Sequence, residues 1–236
     1  MTLFRDPDAS DAVTLAEAVY RRLRADIIAG ERAAGERLRI ERLSKHYGVG
    51  PTPLREALQR LCADGLVLAR GNRGFAVAPL DITEFEDLNI ARTAVEVQAV
   101  NLSIRNGNDE WEAGIVAAFY RLEKQDRALA ARHDEALDAW EAANAAFHEA
   151  TVARCGSRWL LRVRARLHDQ CERYRRASVH LHRAERDLAA EHRAIRDAVL
   201  HRDREAAAHL ITTHFDTTAR MLAEEMVPDR PGAPPA

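Results

Sequence analysis

The chain has 236 residues, 47% of them hydrophobic and 31% charged, enough to bury the core of one large or two modest domains. Its net charge of −2 gives no sign of a nucleic-acid partner by itself, but the charge is uneven. Residues 1–80 hold 13 Lys and Arg against 10 Asp and Glu, and the remainder holds 22 against 27, a mildly basic module on an acidic body. Cys62, Cys155 and Cys171 have no metal-ligand spacing and cannot all pair, so they read as small apolar residues of a reducing compartment. The start MTLFRDPDASD lacks an apolar signal core, and no run approaches the ~18 apolar residues of a membrane span. A cytoplasmic protein with no membrane partner is expected.

The first expected element is a helix over about 14–29. Thr14 and Glu17 form a capping-box pattern, Leu15, Val19, Leu23 and Ile27 share one face, and Gly30 ends it. A second helix is expected over about 40–47, with Leu43 and Tyr47 inward and Gly48 as its stop. A third runs from about Thr52 to Asp64, with Leu54, Leu58 and Leu61 inward. The period then changes: 66–70 and 75–78 are short strands around Gly71-Asn72-Arg73-Gly74, a hairpin signal. Three helices followed by a β-hairpin is the order of a winged helix-turn-helix.

After Pro79 and Leu80 the sequence is helix-rich. Thr83 and Glu86 repeat the capping-box pattern and open a helix to about Arg105. Further helices are expected over about 109–132, 135–154, 159–181, 185–200 and 204–225. The Pro-rich tail PDRPGAPPA is expected to be disordered. The fold class is therefore mainly α: a winged helix-turn-helix with a small hairpin wing over 1–80, an antiparallel bundle of about six helices over 81–228, and a tail over 229–236.

The stretch VGPTPLREALQRLCADGLV, from Val49 to Val67, opens the third helix with small and rigid residues. In a helix-turn-helix this helix enters the major groove N-terminus first, so its first turn lies near phosphates and base edges. Gly50 and Pro51 leave room for that approach. Pro53 suits the first turn, and Thr52 can cap the helix or donate to a phosphate. Arg55, one turn in, is placed for a bidentate contact to guanine. Arg39, Arg42 and Lys45 can hold the backbone, and Asn72 and Arg73 at the hairpin tip can reach the minor groove. Residue chemistry alone reads equally well as a capped surface helix with a solvated arginine.

The same stretch resembles the signature of GntR-family transcription regulators, roughly Val-Ser-x-Thr-Pro-Val-Arg-Glu-Ala-Leu followed by Gly-Leu-Val. Here Gly50 stands for the usual Ser, Pro51 for a frequent Arg, and Leu54 for Val; Thr52, Pro53 and Arg55 match. RGNRGFAV resembles the family's wing. The resemblance covers about residues 14–80. It implies double-stranded operator DNA as a partner, with side-chain contacts missing at Gly50 and Pro51.

In the helical body, Asn144 and His148 of NAAFHEA are four apart and share a helix face. His192 lies near a helix start and His214 four residues after Leu210. Three histidines from three helices with one oxygen ligand would suit Zn²⁺ or Ni²⁺. Spacing leaves the ordinary alternative open, because a single histidine on a helix is more often structural or solvated; His46, His133, His168, His180, His182, His201 and His209 are read so. Residues 82–226 resemble the FCD effector domain of the FadR-type GntR subfamily, which implies a divalent metal on Asn144, His148, His192 and His214. Asn144 stands where Asp is usual and brings no charge. In an all-neutral site the metal keeps its full positive charge, which favours an anionic effector. Arg92 and Glu96 match the family's Arg and Glu, and Arg92 is the candidate contact to a small organic acid; otherwise it is a surface or dimer-interface salt bridge. The expected protein is a homodimeric, ligand-responsive repressor and not an enzyme. The alternative is a metal-dependent hydrolase using the three histidines, against which no carboxylate stands at a recognisable general-base spacing.

Overall fold

The computed structural model describes residues 14–71, 74–131, 136–177 and 186–226. The chain divides into two compact units, Met1–Pro79 and Leu80–Ala236. The first contains α1 (Leu15–Ile28), β1 (Arg37–Leu38), α2 (Ile40–Tyr47), α3 (Pro51–Ala63), β2 (Val67–Ala69) and β3 (Phe75–Val77). Thr14 caps α1 by accepting from the Glu17 N–H at 3.1 Å. The reciprocal half of the expected box is absent: the Glu17 carboxylate binds Arg21 and Arg60 instead, each at 2.6 Å. Leu15, expected inward, is 65% exposed, and the core begins a turn later at Val19. Leu23, Leu54, Leu58 and Leu61 are fully buried with Leu43 and Tyr47, so the i, i+4 rows of the three helices close on one another. Gly48 ends α2 in the left-handed region at φ 68°, which frees the chain to turn sharply into α3.

The wing is a three-stranded antiparallel sheet in the order β1-β3-β2, with Leu38 opposite Phe75 and Val67 opposite Val77. The hairpin was legible in the sequence, but β1 was not, because two residues carry no period. Asn72 and Arg73 lie outside the described residues.

The second unit contains α4 (Ile82–Asn106), α5 (Asp109–Ala131), α6 (Leu137–Val152), α7 (Arg158–Ala177), α8 (Leu188–Leu200) and α9 (Arg204–Met226). Two starts differ from expectation. Asp81, not Thr83, caps α4, its carboxylate accepting from the Glu84 N–H at 2.9 Å. Asp187 caps α8 in the same way, accepting from the Ala190 N–H at 2.8 Å. In both places a carboxylate against the free N–H groups and positive end of a helix fixes the boundary.

Helix α4 packs on α6, α7, α8 and α9. The bundle core gathers Ile115, Leu122, Phe147, Ile195, Ile211 and Phe215. A smaller apolar cluster joins Phe85, stacked on Tyr174 at 4.5 Å between centroids, to Cys171 and Leu222. The end of α4 is closed by Arg202, a non-glycine residue at φ 58°, whose guanidinium donates to the Ile104 and Gly107 carbonyls at 2.8 and 3.1 Å. No described helix is long and apolar enough to cross a membrane.

Two glycines test this packing in opposite directions. A Cβ on Gly107 would lie 2.1 Å from the Trp111 ring, which is pinned by its own 2.8 Å hydrogen bond to the Ala150 carbonyl. Gly114, inside α5, meets nothing within 4 Å. Gly107→Ala is expected to destabilise by about 1–3 kcal/mol, and Gly114→Ala to stabilise by roughly 0.5–1 kcal/mol. Urea unfolding of the two variants beside the parent measures both.

Candidate functional site

The first candidate surface is the start of α3. Gly50 is its N-cap and makes no side-chain cap; Pro51 is the first helical residue and Pro53 the third. Thr52 is therefore inside the helix and does not cap it, as the sequence had suggested it could. Two of the first three helical residues have no N–H, so this start offers fewer free donors than an ordinary helix N-terminus. Gly50, Pro51, Thr52 and Arg55 are all exposed. So are Arg39, Arg42 and Lys45, and Arg39 is the N-cap of α2. A cleft of about 440 Å³ beside α2 is lined by Arg32, Arg37, Arg39, Arg42 and His46 among others. Sequence reasoning missed Arg32, Arg37 and His46; they face one cleft only because the turn before β1 folds back beside α2.

The second lies within the bundle. His148 from α6, His192 from α8 and His214 from α9 each present a ring nitrogen, all within 4.8 Å of one another. The rings are buried, with His192 and His214 4.8 Å apart between centroids. His148 Nε2 and both ring nitrogens of His192 have no hydrogen-bond partner, nor does the buried Asn144 Oδ1 on the same helix as His148. Unsatisfied buried polar atoms are costly, and one ring nitrogen from each of three histidines gathered in one place, with the unpartnered Asn144 Oδ1 one helical turn before His148, is a donor set that fits a divalent metal. Burial is the largest influence on His148 and, with the neighbouring histidines, pulls it well below the usual value. His214 falls to about 3, again mainly through burial, against its hydrogen bond to the Glu191 carboxylate, which raises it. Both rings are neutral at pH 7, the form that can donate a lone pair.

Charged groups surround this cluster. Glu96 is held by Arg164 through two hydrogen bonds of 2.8 and 3.0 Å, and its other contact is His148 Nδ1 at 3.8 Å. Glu191 accepts two bonds of 2.6 Å from Arg186 and a 2.6 Å contact from His214 Nδ1. Burial alone would raise Glu191, but Arg186 and His214 hold it at about 2. Asp126 accepts from Trp140 Nε1 at 2.7 Å and places its free Oδ2 3.7 Å from His192 Nδ1. No spacing or motif in the sequence singles out Asp126, Arg164, Arg186 or Glu191.

Arg92 is neither of the things its sequence position allowed as an alternative. It is 5% exposed, and no carboxylate lies within ion-pair distance of it among the described residues. Its guanidinium lies 3.8 Å over the Phe215 ring, and Nε has no hydrogen-bond partner. Burial pulls its pKa below the ordinary arginine value, and Arg175 and Arg164 add to this against Cys171 and Glu96.

A winged helix with an exposed recognition helix, joined to a unit of packed helices with a polar centre, defines a DNA-binding regulator with a separate C-terminal domain. The chain belongs to the GntR family: the description "bacterial regulatory proteins, gntR family" matches residues 15–77, and the FCD domain matches residues 87–217. It is 39% identical over 211 residues to the HTH-type transcriptional regulator BphR of Paraburkholderia xenovorans, covering 89% of this chain and 86% of that protein. It is 37% identical to the HTH-type transcriptional repressor GlaR of Escherichia coli, covering 88% and 95%. Escherichia coli McbR/YncC shares the fold, with a TM-score of 0.75 at 20% identity, covering 90% of this chain and 98% of that one. The families and relatives are regulators of transcription, which sets the hydrolase alternative aside.

The depressed histidines imply a pH dependence. A group whose folded pKa lies below its unfolded value binds fewer protons when folded, so its stabilising contribution is present above the unfolded value and is lost as pH falls. For His148 and His214 the loss begins near pH 6.5 and, for His214, continues to about 3. Glu191 acts in the same direction at lower pH. Chelator-treated protein should show a lower urea midpoint at pH 5 than at pH 7.5, and His214→Gln should flatten the difference.

Proposed function

We propose that this regulator is a homodimeric repressor whose C-terminal domain binds a divalent metal, Zn²⁺ or Ni²⁺, and a small organic acid that alters operator affinity. The observation that carries this reading is the uncompensated buried guanidinium of Arg92 in the same bundle as three converging histidines. A buried cation with no counter-charge is costly unless an anion meets it. Asn144, His148, His192 and His214 would hold the metal. When bound, the metal supplies a positive charge that attracts a carboxylate oxygen. Arg92 would meet another oxygen of the same anion, and its position over Phe215 orients the guanidinium without neutralising it. The name of the GlaR relative supports the repressor role. A dimer follows from the need of a two-fold protein to read a palindromic site and from the few phosphates one small head can reach.

In the DNA-binding unit, Arg55 would read a base and Arg42 a phosphate. Gly50 and Pro51 bring backbone and ring surface close to the groove without a donor. Lys45, Thr52 and Arg39 would add backbone contacts, as would Asn72 and Arg73, which fall between β2 and β3 in the sequence. The α4 residues that carry Arg92 and Glu96 follow the wing after only Pro79–Asp81, a short tether through which a helix shift can reach the head.

Arg55→Ala is expected to cost about 1–3 kcal/mol at the operator and relax one base pair, whereas Arg42→Ala weakens all sequences and flattens the salt dependence. Gel-shift titrations at two salt concentrations separate the two; unchanged operator affinity for Arg55→Ala would remove the recognition-helix assignment. For the effector, calorimetry with metabolite carboxylates, with and without operator, should show a coupling of about 1–3 kcal/mol in either direction of titration. Arg92→Ala should abolish the response while metal content and effector-free DNA binding persist. Equal acid affinity with and without operator would show that the pocket does not control the head.

A further inference from the structure

Each histidine of the cluster faces a carboxylate from a different helix. Glu96 of α4 lies toward His148 of α6, Asp126 of α5 toward His192 of α8, and Glu191 of α8 toward His214 of α9, in every case opposite Nδ1. A carboxylate that accepts the Nδ1 proton fixes the tautomer and leaves Nε2 as the lone-pair donor. The three carboxylates are not equivalent. Arg164 neutralises Glu96 and Arg186 neutralises Glu191, each through two hydrogen bonds. Asp126 has no lysine or arginine within ion-pair distance among the described residues, although it is 8% exposed. Its Oδ1 accepts only the neutral indole N–H of Trp140, and its Oδ2 and His192 Nδ1 are both unsatisfied across 3.7 Å.

Resting on the proposed metal site, we infer that Asp126 is its positioning and charge-compensating carboxylate. Acting through His192, it supplies the one net negative charge that the neutral set of Asn144 and three histidines lacks. Trp140 holds Oδ1, which directs Oδ2 at the imidazole. In the metal-loaded site the Nδ1–H of His192 would close the 3.7 Å gap and donate to Oδ2, so that Nε2 of His192 would be the atom presented to the metal. A buried anion without a cation is as costly as the buried Arg92 without an anion, and a divalent ion one imidazole away offsets that cost. Through Asp126, α5 joins the centre, although it contributes no ligand.

The test uses Co²⁺ as the probe on the full chain, with affinity read by chelator competition and geometry by the visible d–d spectrum. Asp126→Asn keeps the acceptor for Trp140 and removes the charge. It is expected to weaken Co²⁺ about 10–100-fold while the metal-free melting temperature is unchanged or higher, since a buried unpaired charge has gone. Asp126→Glu should recover part of the affinity. Returning the charge from the ligand side, in Asp126→Asn with Asn144→Asp, should restore it further. Co²⁺ affinity within twofold of the parent in Asp126→Asn overturns the inference and leaves the metal site standing. A parent protein that binds neither Co²⁺ nor Zn²⁺ overturns both. Long-range ¹H–¹⁵N spectra of the Zn²⁺-loaded parent give a check that needs no variant: the His192 proton on Nδ1 supports the assignment, and a proton on Nε2 refutes it.

Discussion

A charge taken out of water must be met by an opposite charge or by hydrogen bonds, and that constraint organises the C-terminal bundle. Its core is not uniformly apolar. Arg92, Arg164, Arg175, Glu96, Glu141 and three histidines are buried among Phe147, Phe215 and Ile195. Most of these charges close on each other. Arg164 grips Glu96 and Arg175 grips Glu141, each as a two-bond fork between helices far apart in sequence. Such pairs add less to stability than their geometry suggests, but they hold α4, α6 and α7 in one register. What they leave over is informative: among the described residues Arg92 has no carboxylate, and Asp126 no lysine or arginine, within ion-pair distance.

Those two remainders point to two kinds of occupant. A guanidinium without a carboxylate suits an anion, and a carboxylate without a lysine or arginine behind an imidazole suits a metal cation. Phe215 lies between the two halves of this arrangement: its ring is under the Arg92 guanidinium, and its centroid is 5.6 Å from both His148 and His214. A small acid bound to metal and arginine together would press on helices α4, α6, α8 and α9 at once. Since α4 is the element that follows the wing in the chain, an effector of the proposed kind would act on the helix nearest the head in sequence.

The DNA-binding unit follows a different logic, with its charges outside and its core apolar. Its recognition helix begins with two prolines in three residues, which fixes the backbone but removes donors. The departures from the family signature at Gly50 and Pro51 fall on this exposed start.

Local pattern sufficed for much of this. The i, i+4 rows of α1 and α3, the glycine stops, the hairpin and the six later helices follow from periodicity and capping chemistry within a dozen residues. Asn144 and His148 share a face for the same reason, and the signature around Arg55 is contiguous. Boundaries went astray where a neighbour competed for the cap, as when Asp81 displaced Thr83. Only the tertiary structure could bring His192 and His214 to His148, or set Asp126, Glu191 and Arg186 behind them, because those residues lie on separate helices and share no sequence period. It alone decided that Arg92 is buried and unpaired rather than a surface salt bridge. Burial and the absence of a partner are properties of what surrounds a side chain, and in a helical bundle the surroundings come from other helices, distant in the sequence.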